Sequence, residues 1–407
     1  MRSHFDDGAH QTPRTDLYRR WPVPPGTDLQ RALAAIAGLV ERHEALRTRI
    51  VFESGDWTQH VQGEGSLPVA TLVGPWTEQT AERAAFQVAH EDLKQAAGPP
   101  VKFAILMSGR HARWVILAAP HALLDGHAFE ILEYELRTLI ETPGKMAEPS
   151  AQPADWTASE GGAAGRRQSE RSIGHIVRVL QRFRTPLFPM PAGRERGAIN
   201  VVRGVGAGFG VHIRHVAENS GVSTAAVSIA ALSLSFSRNS GSTAFALGVT
   251  SSNRFMPRSE SYVGMMAQNG VLGVDASSGN LSEVSAEVAS SLMSCYRYSR
   301  YDQDDLGAEL RQQSLDFDYI AFGAVGHFVN FIPDGPGRHP DFADDTLAVS
   351  LSEESLAESR IPRFGVVMNA GETDVRIRIF ADEGAISGQT AKAIVRDFFD
   401  ALTSHTG

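Results

Sequence analysis

His121 and Asp125 stand four positions apart in Pro120-His121-Ala122-Leu123-Leu124-Asp125-Gly126, the segment of this chain best suited to moving a proton. Imidazole titrates near neutrality, and a positioned histidine base is typically worth about two to four orders of magnitude in rate. A carboxylate four residues on invites a triad reading, but along a turn it need not reach the ring. It can instead cap a helix that starts at Gly126. Gly126 lets the turn close and leaves room beside the loop. His121, Asp125 and His127 also read as an H-x3-D-x-H metal set, although the sequence offers no further ligand cluster to complete it. No G-x-S-x-G elbow is present.

The flanking elements hold this loop. Trp114-Val115-Ile116-Leu117-Ala118-Ala119 is apolar without interruption, as a buried strand would be. A helix over His127–Glu141 follows, with Phe129, Ile131, Leu132, Leu136 and Ile140 at helical spacing. The base is thus expected where a strand ends and a helix begins, on a rigid scaffold. Upstream, a helix from Asp28 carries Leu29, Leu33, Ile36 and Val40 inward. A hairpin over Thr48–Phe52 and Thr58–Val61, a helix over Glu78–Gln95 and strands over Val101–Ser108 and Arg113–Ala119 complete a strand-rich first lobe. A strand is expected at Asp16–Trp21.

Residues 143–170 carry Pro143-Gly144, Pro149, Pro153 and Gly161-Gly162, which read as an irregular connector. A basic helix near Arg171–Arg184 follows. Between Arg166 and Arg203 the only acids are Glu170 and Glu195, against nine arginines that include Arg171, Arg178, Arg182, Arg194 and Arg196. One reading is a solvated helix face. The other is a docking patch at Arg171, Arg178 and Arg182 for a phosphorylated or acidic partner. The expected divisions are an N-terminal lobe over 1–145, a connector over 146–198 and a C-terminal lobe over 199–407. In the last, helices are expected at Val211–Asn219, Ser223–Arg238 and Gly388–Leu402. Strands are expected at Thr243–Val249, Asp318–Phe322, His327–Phe331, Phe364–Met368 and Asp374–Phe380.

Arg42-His43-Glu44-Ala45-Leu46-Arg47-Thr48, followed by His121-x-x-x-Asp125-Gly126, resembles the condensation-domain superfamily of nonribosomal peptide condensation domains, chloramphenicol acetyltransferase and related acyltransferases. Gly248-Val249-Thr250-Ser251-Ser252-Asn253-Arg254, Ser261-Tyr262-Val263-Gly264 and Tyr301-Asp302-Gln303-Asp304-Asp305-Leu306 extend the likeness over nearly the whole chain. The resemblance implies an α+β fold of two α/β-sandwich, chloramphenicol-acetyltransferase-like lobes in a V-shaped pseudo-dimer. It implies a free-standing acyltransferase of natural-product biosynthesis, forming an amide or ester between a carrier-bound acyl thioester and an amine or hydroxyl. His121 would be the base or proton positioner, and a buried salt bridge from Asp125 to Arg254 would hold its loop. No bound cofactor is implied; the donor would ride on phosphopantetheine or coenzyme A. Departures are Pro120 in place of a tandem histidine, His127 after the glycine, Gln268 in place of asparagine, and no recognisable opening motif in residues 1–15. Pro120, the missing opening motif and the arginine-rich helix suit a rival reading, a silent scaffold that recruits a carrier protein; a second rival is an acyl-coenzyme A O-acyltransferase.

At 407 residues the chain has room for two lobes of about 200 residues, each with its own core. Apolar content of 42% and charged content of 21% are ordinary for a globular protein, and a net charge of −9 argues against nucleic-acid or membrane-surface binding. The single Cys295 excludes an internal disulfide and reads as a structural thiol of a reducing compartment. The N-terminus lacks the apolar core of a signal peptide, and the longest apolar run, Ala225–Phe236, is too short to span a bilayer. A cytoplasmic monomer is the expectation.

Overall fold

The computed structural model describes residues 16–53, 56–63, 66–90, 100–144, 146–184, 187–188, 198–315, 327–333, 347–356 and 364–403. Packing divides the chain into two units: Met1–Gly165 together with Ser252–Ala267, and Arg166–Ser251 together with Gln268–Gly407.

The first unit is built on a four-stranded sheet in the order β1-β6-β5-β4, with β1 (Asp16–Pro22), β4 (Val69–Val73), β5 (Lys102–Ser108) and β6 (His111–Pro120). A separate hairpin joins β2 (Thr48–Glu53) to β3 (Asp56–Val61). Helices α1 (Leu29–Arg42) and α3 (Gly126–Glu141) cover one face of the sheet, and α2 (Glu78–His90) covers the other. The unbroken apolar run of β6 follows from this sandwich. Val115, Leu117 and Ala119 pack toward α1 and α3, while Trp114 and Ile116 pack toward α2. A strand buried on both sides loses the polar alternation of a half-exposed one. Asp28 caps α1 by accepting from Arg31 N at 2.8 Å.

The second unit holds a seven-stranded sheet in the order β11-β7-β13-β12-β10-β8-β9. Its strands are β7 (Ile199–Ala207), β8 (Ala244–Ser251), β9 (Gln268–Asp275), β10 (His327–Pro333), β11 (Ala348–Leu356), β12 (Phe364–Ala370) and β13 (Asp374–Asp382). Its helices include α6 (Phe209–Ser220), α7 (Thr224–Ser240), α8 (Leu281–Arg297), α9 (Gln303–Gln312) and α10 (Gly388–Thr403). Along β13, Val375, Ile377 and Ile379 enter the core while Arg376, Arg378 and Phe380 face away from it. Among the described residues no single helix is long and apolar enough to cross a membrane. The pair α6 and α7 would be so in sum but is bent by 104°, and α7 is buried over most of its length.

Two expectations are corrected. The stretch read as an irregular connector contains α4 (Pro153–Gly161) and the start of α5 (Ala163–Arg182). Pro153 sits at the first helical position, where its missing N–H has no intrahelical partner to lose, and Gly162 terminates α4. Residues 146–198 are shared between the units, and Ser252–Ala267 packs with the first. The strand expected at Asp318–Phe322, residues 91–95 of the expected helix, Arg194, Arg196 and the opening segment lie outside the described residues.

Candidate active site

β6 ends at Pro120, whose carbonyl accepts from Leu123 N at 2.9 Å and so closes a tight turn carrying His121. His121 Nδ1 lies 3.1 Å from Leu124 O. A carbonyl oxygen only accepts, so Nδ1 carries the proton and Nε2 the lone pair. Burial pushes the imidazole below its ordinary value, and the Arg19 charge adds to this. The opposing pulls from backbone hydrogen bonds and Asp125 are outweighed. The ring is therefore neutral at physiological pH, with Nε2 able to take a proton.

Asp125 is 2% exposed, and each of its oxygens accepts two donors. Oδ1 caps α3 through Ala128 N at 2.9 Å and takes Arg254 Nη2 at 2.9 Å. Oδ2 takes Met266 N at 2.9 Å and Ala267 N at 3.2 Å. A carboxylate so occupied is a brace for the loop rather than a relay to the imidazole. Arg254 Nη2 also donates to Tyr262 O at 3.2 Å and Gly264 O at 3.4 Å, and the guanidinium lies 5.8 Å over the Tyr262 ring. Its Nε and Nη1 are buried without a hydrogen-bond partner. Gly126 has an ordinary backbone conformation, and an added Cβ there would meet nothing within 4 Å. The turn thus closes without needing a glycine, correcting that expectation. Open space beside the loop is what remains.

Sequence reasoning missed Asn253, Arg19 and the 265–267 backbone. Asn253 holds a left-handed φ of 56°, and its Nδ2 donates to Met266 O at 2.9 Å. Together these close the Ser252–Ala267 excursion around Arg254. Asparagine is among the few residues that tolerate this conformation, which was the available signal. Val263 enters the first unit's core, Tyr262 packs edge-on against Trp156 at 5.6 Å, and Ser150 Oγ bonds Ser261 Oγ at 2.7 Å. Arg19, on β1, places its guanidinium 5.6 Å over Phe129 at the start of α3.

The Arg42–Thr48 motif is structural. His43 Nε2 lies 2.5 Å and Arg42 Nε 3.1 Å from Glu135 Oε2, fastening the end of α1 to α3. Burial raises the Glu135 carboxyl, but His43 and Arg42 outweigh it and hold it below its ordinary value. Arg47 donates to Val40 O at 2.9 Å and Gln62 O at 2.5 Å. His127 is exposed and pairs with Glu130 at 3.2 Å. Among the described residues no three His, Cys, Asp or Glu side chains are grouped to hold a metal ion. Burial pushes the Cys295 thiol far up, as expected of an inert structural cysteine. Gln268 Nε2 bonds Tyr301 O at 2.9 Å, and Asp302 caps α9. Arg171, Arg178 and Arg182 lie on exposed positions of α5, in the second unit.

The condensation-domain family model matches residues 23–332. Tyrocidine synthase 3 of Brevibacillus parabrevis is 24% identical over 387 residues, which are 92% of this chain but 6% of that synthase. The chain therefore spans a small fraction of the length of that curated relative. Among solved structures, the condensation domain of the Monacolin K polyketide synthase MokA superposes with a TM-score of 0.75 at 14% identity, covering 98% of this chain and 94% of that one. The SgcC5 protein from Streptomyces globisporus gives 0.73 at 19% identity, with 98% and 94% covered. An epimerization domain of tyrocidine synthetase B and the X-domain from teicoplanin biosynthesis share the fold at TM-scores of 0.71 and 0.70, so the fold by itself assigns no reaction. The braced histidine loop, the folded Arg42–Thr48 motif and a family match over most of the chain agree: this chain belongs to the condensation-domain family.

Proposed function

We propose that this protein is an acyltransferase joining a carrier-bound acyl or aminoacyl thioester to an amine or hydroxyl in natural-product assembly. The observation that carries this reading is the placement of His121 on the turn that ends β6, with Nδ1–H donated to Leu124 O and burial holding the imidazole below its ordinary value. As the acceptor attacks the thioester carbonyl, Nε2 takes its proton. The tetrahedral intermediate then collapses, the C–S bond breaks, and the departing pantetheine thiolate recovers the proton from the imidazolium. The product is an amide or an ester together with a free thiol. No covalent intermediate on the protein is needed, in keeping with the absence of a nucleophile elbow. Asp125 and Arg254 serve the loop, not the bond-making step.

The test compares His121→Ala with full deletion in the native host by untargeted mass spectrometry. Loss of the same product in both strains, with its uncoupled precursors accumulating, is the expected result, and the precursors name the bond. A product retained by His121→Ala but lost on deletion sinks the base assignment and leaves a recruiting scaffold, a reading that Pro120 and the X-domain likeness favour. Turnover of acyl-coenzyme A without any carrier protein would replace the donor.

A further inference from the structure

α5 presents a row of exposed arginines. At about 100° per residue, Arg167, Arg171, Arg178 and Arg182 fall within about 60° of one another on the helix surface. All are exposed. Arg182 sits in the field of Asp275 and Glu287, so its charge is shared. Arg167, Arg171 and Arg178 form no ion pair with any described residue. The same holds for Arg297, brought alongside by α8, whose carbonyl accepts from Gln168 Nε2 at 3.3 Å. Arg167, Arg171 and Arg178 span about 17 Å along α5, at 1.5 Å per residue, in a chain of net charge −9.

Three further features mark this surface as one that is approached. Tyr298 stacks on His175 at 4.4 Å and 23°, filling the gap between α5 and the end of α8 with a flat, half-buried aromatic pair. Met293, one turn before Arg297, is 73% exposed. Gly174 lies in the middle of α5 between Arg171 and Arg178, where a glycine destabilises a helix by about 0.5–1 kcal/mol relative to alanine. Its φ is ordinary, and an added Cβ would make only a van der Waals contact with Arg178 Nη1 at 3.6 Å. Internal packing therefore gives no reason for the glycine, whereas close approach of another backbone would.

We infer that the Arg167–Arg171–Arg178–Arg297 surface is the docking face for an acidic helix of the carrier domain that delivers the thioester. This rests on the acyl-transfer reading above. The face is a convex helix surface rather than a pocket, which suits a macromolecule better than a small phosphate ligand. Arginine, methionine and tyrosine are the residues enriched in protein interfaces. A single positive row on a negative molecule also orients an acidic partner during encounter.

The experiment uses the full chain and each phosphopantetheinylated carrier domain encoded by the producing organism, with affinity read by fluorescence anisotropy at low and moderate salt. One carrier should bind, and Arg171→Glu/Arg178→Glu should weaken it by about tenfold or more and flatten its salt dependence. Arg171→Lys/Arg178→Lys should keep most of the affinity, and placing lysines on the carrier's acidic helix should restore binding to the glutamate variant. Matching melting temperatures exclude misfolding. If one carrier binds wild type and glutamate variant equally, the docking face is wrong while the carrier-donor reading stands. If no carrier binds wild type, that reading falls and takes this inference with it. If the substitutions abolish binding of coenzyme A or an oligonucleotide instead, the occupant is not a carrier domain.

Discussion

At the scale of single residues, the chemistry depends on keeping one imidazole neutral. Burial does most of this and the Arg19 charge adds to it, so a base-limited rate should fall with a midpoint below the ordinary histidine value of 6.5. Arg19→Met should move that midpoint upward, as read from the acid limb of kcat/KM or from the His121 ring signals by NMR titration; an unmoved midpoint would remove Arg19 from the account. Arg254→Met leaves the Asp125 carboxylate buried without its cation, so stability should drop by about 3–5 kcal/mol in urea unfolding. A loss below about 1 kcal/mol would mean the backbone donors suffice to brace the loop. His121 and Asp125 stood out by their spacing, whereas the pairing of Asp125 with Arg254, 129 residues away, was expected only from the family resemblance. Arg19 was not legible, because its role depends on the pairing of β1 with β6, which sets Arg19 against Leu117. Asn253 was hidden for a similar reason: its role lies in a backbone angle and a bond to Met266 O, neither of which a linear pattern displays.

At the scale of elements, the sequence was readable where one segment's periodicity decides its fate. β6, α1, α3 and α10 each bury a continuous run or stripe and were found near their observed limits. β7 and β9 were missed, and their glycines explain why. A Cβ at Gly204 would collide with Val395, and one at Gly206 with Phe399, both on α10; Gly270 is closed off by Cys295 and Gly273 by Phe183. In each strand the apolar volume expected from a strand residue is supplied by a side chain from elsewhere, so the strand's own sequence reads as weak. Gly206→Ala should then destabilise the protein by about 1–3 kcal/mol through overpacking, although alanine is the better strand former. Thermal denaturation would reveal it, and an unchanged melting point would show that α10 can shift. The Arg42–His43–Glu135 fastening follows the same lesson. The motif was visible, but its partner lies on another helix, and only packing reveals that it locks α1 to the helix whose first turn Asp125 caps.

At the scale of the whole molecule, identities of 14–24% coexist with a shared fold because the family's constraints are few and local. The boundary between the units was not legible. Sequence suggests one lobe followed by another, whereas the first unit borrows Ser252–Ala267 from a stretch otherwise devoted to the second. This borrowing matters for synthesis. Asp125 leaves the ribosome well before the Arg254, Met266 and Ala267 donors that satisfy it. At about 10 residues per second, about 14 seconds of translation separate the two ends of that bond network. Through that interval only Ala128 N, of the four donors to Asp125, is present, and the first unit is complete only once position 267 has been made. A recombination seam placed anywhere between 126 and 253 would pair one parent's carboxylate with another parent's arginine and amides. Gene exchange among such proteins should therefore preserve the stretch from Asp125 to Ala267 as a single inherited block.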